Sequence, residues 1–309
     1  MVPVASITEE ILALKQERRA VILAHHYQEP EIQDLADAVG DSLELARKAQ
    51  EFDGDVIAFC GVVFMAETAK VLNPTKTVVL PDLEAGCSLV ESCPADQVRA
   101  YRIRHPDHVI VSYINTSVEV KAESDILCTS RNAVQIVNSI PAERPILFLP
   151  DINLGNYVKR QTGRENMKIW QGACIVHATF AARRLARARA EHPHALVAAH
   201  PECPPDVLAM ADYIGSTSAL IQWCASSVAR EFIVMTESGI LRSLEKLAPG
   251  KRFYFIPNEN CNCSECPYMK RNTLEKLREC LWKLEPRVEL SEEIIRRAAV
   301  PIERMLQVK

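Results

Sequence analysis

The chain holds eleven cysteines among 309 residues. An odd number at irregular spacing does not make a disulfide framework. Cys60, in Val56-Ile-Ala-Phe-Cys60, and Cys224, after Trp223, sit in apolar runs and read as core residues, since buried free cysteine is common. Others lie in loops: Gly86-Cys87, Ala173-Cys174 and the cluster Cys261-Asn-Cys263-Ser-Glu-Cys266. Loop thiolates hold zinc or iron–sulfur clusters. A zinc knuckle inside 261–266 alone would need a second Cys or His pair at standard spacing, which that stretch lacks.

A second set of polar residues recurs in step with these loops. Val21-Ile-Leu-Ala-His25-His-Tyr27, Val109-Ile-Val-Ser-Tyr113-Ile-Asn115 and Leu196-Val-Ala-Ala-His200-Pro-Glu202 stack without gaps, at intervals of 88 and 87 residues. Each is an apolar strand ending in a polar residue, with another polar residue two positions on. Seventeen residues past each strand end stands a hydroxyl, Ser42, Ser130 or Thr217, placed to open a helix. A cysteine loop follows each: Cys87 after 45 residues, Cys174 after 44, and either Cys261 after 44 or Cys266 after 49. Spacing leaves the third choice open.

These residues need elements to carry them. Strand patterns at 20–24, 55–59, 77–80, 109–113, 145–149, 168–170, 195–199, 231–235 and 252–256 alternate with helical patterns at 8–19, 42–51, 64–72, 95–105, 130–138, 177–191, 218–229, 239–247 and 273–284. Ser6 and Glu9 form a capping-box pattern. Near-continuous apolar strands point to parallel sheets covered on both faces. The expected class is α/β, with three similar units of parallel sheet and flanking helices around a pseudo-threefold axis. Residues 1–86, 87–173 and 174–262 are the repeats; 263–309 carry the last cysteine loop and a helical tail.

In open parallel sheets, ligands bind beyond the carboxyl ends of the strands. Three units about one axis would bring the strand ends, the hydroxyls and the thiols to one cavity. Helix N-termini carry roughly +0.5 charge and free N–H groups, so with Ser42, Ser130 and Thr217 they suit a ligand bearing several carboxylates or phosphates. Any one of these hydroxyls taken singly would read as a plain N-cap. A cubane on three thiolates leaves one iron open, able to act as a Lewis acid.

Composition excludes other classes. A net charge of -4 and a pI of about 6.1 argue against nucleic acid as the partner, and Arg183–Arg189 reads as an exposed helix face. No run reaches the ~18 apolar residues of a membrane span. The start has neither a basic n-region nor an apolar h-region, so no membrane partner and a cytoplasmic location are expected. G-x-G-x-x-G and P-loop motifs are absent from the sequence.

The sequence resembles the quinolinate synthase (NadA) family. The matching stretches are Ile22-Leu-Ala-His-His-Tyr-Gln28, Gly40-Asp-Ser-Leu-Glu-Leu-Ala-Arg47, Asn115-Thr-Ser117, Cys128-Thr-Ser130, Gly155-Asn-Tyr157, Cys174-Ile-Val-His177, His200-Pro-Glu-Cys203, Gly215-Ser-Thr217 and Cys266-Pro-Tyr-Met269 with Asn272-Thr273. The resemblance implies three α/β domains about a [4Fe-4S] cluster on Cys87, Cys174 and Cys266. It also implies condensation of iminoaspartate (iminosuccinate) with dihydroxyacetone phosphate to quinolinate, phosphate and water in NAD biosynthesis. An aspartate oxidase or dehydrogenase is then the expected supplier of iminoaspartate. His25, Tyr27, Ser42, Tyr113, Asn115, Ser130, His177, His200, Glu202 and Thr217 fall on active-site positions of that family. Many relatives carry C-x-x-C-x-x-C where this chain has C-x-C-x-x-C, so no role is assigned to Cys261 and Cys263.

Within that reading, Glu202 is the candidate general base, Tyr27 with His25 the proton donor, and Ser42, Ser130 and Thr217 the anion sockets. Tyr113 and Asn115 would bond a substrate carboxylate, and His177 would bind anion or steer protons. Two other readings compete: a different hydro-lyase with an open-iron cluster, and a zinc-stabilised carboxylate- or phosphate-binding protein without chemistry.

Overall fold

The computed structural model describes residues 6–257 and 264–308. Among these residues lie three four-stranded sheets, each wholly parallel. The first contains β1 (Ala20–His25), β2 (Ala38–Gly40), β3 (Val56–Cys60) and β4 (Thr77–Val79), in spatial order β2-β1-β3-β4. The second contains β5 (Val109–Tyr113), β6 (Ile126–Cys128), β7 (Ile146–Leu149) and β8 (Met167–Ile169), ordered β6-β5-β7-β8. The third contains β9 (Leu196–Ala199), β10 (Tyr213–Ile214), β11 (Glu231–Met235) and β12 (Arg252–Phe255), ordered β10-β9-β11-β12. The fold class is as expected, three similar α/β units. In each sheet the strand order reverses beside the first strand, and such a switch point opens a crevice at the strand ends.

The second strand of each sheet was not read from the sequence, because two or three residues carry no periodicity. An aspartate fixes it instead. Asp37, Asp125 and Asp212 accept the N–H of Ile22, Ile110 and Val197 at 2.8, 2.8 and 2.7 Å. Their own N–H groups donate back to the carbonyls of the same three residues at 2.9, 3.0 and 2.9 Å. Each aspartate thus ties the chain entering the second strand to the middle of the first.

Several helix expectations are corrected. The segment expected at 130–138 is helical only from Ala133 to Asn138, and 177–191 splits into a 3-10 turn, His177–Thr179, and a helix, Ala182–Glu191. The helix Ile152–Thr162 was not foreseen, because Asn153, Gly155 and Asn156 weaken its propensity. A Cβ on Gly155 would lie 2.5 Å from Ile169, so glycine lets this helix press onto β8. The Ser6–Glu9 capping box is present. In the arginine-rich helix Leu185 is the buried residue, which leaves the arginines outward.

The tail is welded to the repeats. Helix Leu274–Lys283 packs on helix Ile7–Glu17, and its Leu277, Cys280 and Leu281 share a core with Ile11 and Val56. Helix Glu292–Gln307 packs on Val63–Leu72 of the first unit and Val118–Ala122 of the second. A polar seam joins the first and third units: His26 Nδ1 lies 2.8 Å from Ser243 Oγ, and Ser218 Oγ donates to Glu44 at 2.6 Å. A Cβ on Gly239 would lie 2.8 Å from the Tyr27 backbone, so this close approach requires glycine. No helix among the described residues is long and apolar enough to cross a membrane.

Candidate active site

One cavity at the meeting point of the units is lined by His25, Tyr27, Ser42, Tyr113, Asn115, Ser130, His177, His200, Glu202 and Thr217, together with Cys87, Cys174 and Cys266. All the site residues expected from sequence are therefore brought to one place. Val62, Phe64, Met65, Ile175, Val176 and Met269 supply apolar walls that limit access of water. Cys261 and Cys263 lie outside the described residues.

Helix capping does not consume the hydroxyls. Ser42 and Thr217 are the first residues of their helices, and the caps are the preceding Asp41 and Ser216. Asp41 Oδ1 accepts the N–H groups of Leu43 and Glu44 at 3.1 Å each. Ser130 does not open a helix. It lies in the turn before Ala133, where Asn132 Oδ1 accepts the Thr129 N–H at 2.8 Å. Ser130 Oγ is 3.2 Å from His200 Nε2.

The repeat sets the histidine tautomers. His25 Nδ1 accepts the Tyr27 N–H at 3.2 Å, and His200 Nδ1 accepts the Glu202 N–H at 3.4 Å. Both imidazoles are neutral: burial pushes His25 well below its ordinary pKa, and pushes His200 to about 3. With Nδ1 accepting, the proton sits on Nε2. Each ring can therefore donate a hydrogen bond without carrying charge.

A continuous chain of hydrogen-bonding groups runs along the cavity wall, passing through the fully buried Thr236 behind it. Glu202 Oε2 is 2.9 Å from His177 Nδ1, and His177 Nε2 is 2.8 Å from Thr236 Oγ1. Thr236 Oγ1 is 2.8 Å from the Tyr27 hydroxyl, which is 2.8 Å from Thr217 Oγ1. Burial acts to raise the Glu202 pKa, but the neighbouring His177 and His200 rings, with hydrogen bonds from His177 and Tyr113, outweigh it and keep the carboxylate below its ordinary pKa, hence ionised. Burial raises the Tyr27 pKa well above its ordinary value, which keeps the phenol protonated. Thr236 was missed from sequence. It stands one residue past β11, where the other units have Gly61 and Pro150, so no repeat marks it.

The three thiols are neighbours: Cys174 feels both Cys87 and Cys266, and Cys87 feels Cys266. Backbone N–H groups in the turn that follows each cysteine act to lower the pKa of its thiol. The donors are Val90 and Leu89 for Cys87, His177 for Cys174, and Met269 and Tyr268 for Cys266. Burial nevertheless pushes the Cys87 thiol to about 12 and Cys266 to about 11, and Cys174 well up.

The sequence profile described as "Quinolinate synthetase A protein" matches residues 9–307. The chain belongs to the quinolinate synthetase A family. Similar curated proteins carry the name quinolinate synthase. That of Prochlorococcus marinus (strain MIT 9303) is 53% identical over 99% of this chain and 93% of its own length. That of Nostoc sp. (strain PCC 7120) is 55% identical over 96% and 92%. That of Synechocystis sp. (strain PCC 6803) is 55% identical over 96% and 93%.

Two donor sets could hold metal in this member of the quinolinate synthetase A family. One is the three thiols. The other is Cys174, His177 and Glu202, whose ligand atoms lie within 4.8 Å of one another. In the second set, His177 is already bonded through both ring nitrogens to Glu202 and Thr236. The thiol set fits an iron–sulfur cluster better. Three half-buried sulfurs that would repel one another as thiolates suit a cationic metal centre among them.

Proposed function

We propose that the chain is a quinolinate synthase of NAD biosynthesis. It condenses iminoaspartate with dihydroxyacetone phosphate to give quinolinate, phosphate and two waters. The observation that carries this reading is the convergence of three thiols, three hydroxyls and the Glu202–His177–Thr236–Tyr27 chain on one cavity. The substrates bear two carboxylates and one phosphate, for which the helix N-termini at Ser42 and Thr217 and the lone hydroxyl of Ser130 are the candidate partners.

Cys87, Cys174 and Cys266 would hold a [4Fe-4S] cluster, which supplies an open iron that polarises a hydroxyl as leaving group. The chain's own side chains do the rest. Tyr113 donates to the Glu202 carboxylate, and the Asn115 Oδ1, buried without a partner, is left to accept from substrate nitrogen or hydroxyl. His25, neutral with its proton on Nε2, polarises a triose carbonyl by donation, as neutral imidazole does in other enolisations. Glu202 is the base for enamine formation. Because it is held ionised, it also orients His177, which bonds Thr236 and through it holds Tyr27, the proton donor, in place. The apolar walls exclude water that would hydrolyse the imine. Iminoaspartate would come from an aspartate oxidase or dehydrogenase.

Anaerobic purification, then iron and sulfide analysis and a quinolinate assay with both substrates, tests this reading. It expects a brown protein with about four irons per chain and quinolinate as product. A colourless protein holding one zinc, on the Cys174–His177–Glu202 set, overturns it in favour of a binding protein. An intact cluster without quinolinate points to a different hydro-lyase.

A further inference from the structure

The three cysteine loops share one backbone frame. The N–H groups of Val63, Ile152 and Ser238 donate to the carbonyls of Ala85, Gly172 and Ser264 at 2.8, 2.8 and 3.1 Å. Each acceptor stands two residues before a cysteine, and each donor follows the residue that lies two past the third strand of its unit. That residue is Val62 in the first unit, Asp151 in the second and Glu237 in the third. The backbone is equivalent, so the side chain is the difference.

Asp151 and Glu237 are wholly buried. Each uses both carboxylate oxygens. Asp151 Oδ1 accepts the Leu154 N–H at 2.6 Å, and Oδ2 accepts the Cys174 N–H at 3.3 Å. Glu237 Oε2 accepts the Gly239 N–H at 2.6 Å, and Oε1 accepts the Cys266 N–H at 3.1 Å. One oxygen thus caps a helical turn and the other grips the backbone of a cysteine. Capping alone needs one oxygen, and serine or asparagine performs it as well as aspartate. Burying a carboxylate is costly, so the second bond asks for its own explanation.

We propose that Asp151 and Glu237 are positioning residues that hold the Cys174 and Cys266 loops in ligand geometry, a task that Val62 does not perform for Cys87. The inference rests on the cluster assignment above. Ligand geometry in metal sites depends on such outer partners, and their loss typically lowers metal affinity 10–100-fold. An amide at either place accepts one N–H through its oxygen but turns its own NH2 against the other.

The test uses the full chain, reconstituted anaerobically, with Asp151→Asn, Asp151→Ser and Glu237→Gln. Iron release to a chelator and the electron paramagnetic resonance spectrum of the reduced cluster are read. The melting temperature of the metal-free chain is measured alongside. Asp151→Asn and Asp151→Ser keep the helix cap, so the metal-free chain should still fold cooperatively, with its melting temperature lowered only by the lost Cys174 N–H bond. Iron should leave at least about tenfold faster from all three, and the spectrum should change. Variants with wild-type iron release and spectrum overturn the proposal and leave the carboxylates as plain caps. Variants that melt early yet hold iron normally do the same. A wild-type chain that takes up no cluster overturns the functional reading and this proposal together, whereas wild-type uptake with unaffected variants overturns the proposal alone.

Discussion

Glu202 and His177 form a contact of 2.9 Å in which both side chains are only 3% exposed. The pair lies between the Cys174 thiol, 3.3 Å from His177 Nδ1, and Thr236, 2.8 Å from Nε2. It therefore joins the cysteine side of the cavity to the Tyr27 phenol. Neither member could do this from an exposed loop, because solvent would compete for every bond.

Cutting the chain of hydroxyls should stop chemistry without disturbing the metal site. Thr236→Val preserves shape and removes the bridge between His177 and Tyr27. We expect turnover to fall by about 10²-fold or more, with iron content unchanged and Thr236→Ser restoring most activity. Anaerobic quinolinate assays beside iron analysis check this.

Serine at any of Cys87, Cys174 or Cys266 should abolish cluster retention. Cys280→Ser should not, because Cys280 is buried in a separate core with Leu277 and Leu281 and does not line the cavity. Iron and sulfide per chain after anaerobic reconstitution separate the two classes.

His26 should make stability depend on pH. Its folded pKa is pushed to about 4 by burial, against 6.5 when unfolded. The unfolded chain thus binds a proton between these values that the folded chain refuses. Its contribution is whole above pH 6.5 and is lost as pH falls towards 4, a change of roughly 3 kcal/mol at most. Urea midpoints at pH 7.5 and 5 should drop more for wild type than for His26→Gln. Equal drops would show that the seam does not titrate.

The aspartate ties should carry real stability. Asp212→Ala leaves the Val197 N–H without its partner at 2.7 Å. Losing a hydrogen bond to a charged group costs about 1.5–3 kcal/mol. Urea unfolding should show this loss, with Asp212→Asn intermediate.

The long apolar strands were legible because four to six buried residues in a row leave little choice of element, and β5 and β11 ran between the expected residues. The two- and three-residue strands were not, because their place is set by an aspartate bond to another strand. Helix Ile152–Thr162 was hidden by Gly155, whose value lies in contact with Ile169 and not in propensity. Apart from His177, which only the family resemblance supplied, the cavity residues from His25 to Thr217 were legible because the chain repeats, so position in one copy predicts position in the next. Thr236, Asp151 and Glu237 broke the repeat and could not be found that way.

The sequence by itself determined the triplication, the strand ends and which residues are shared among copies, since these are one-dimensional regularities. Only the tertiary structure decided that Thr236 bridges His177 to Tyr27, that the hydroxyls of Ser42 and Thr217 are spared from capping, and that two of three cysteines are gripped by carboxylates. Those facts depend on distances between residues up to 209 positions apart. Such distances are fixed by the packing of sheets against one another, and no local pattern encodes them.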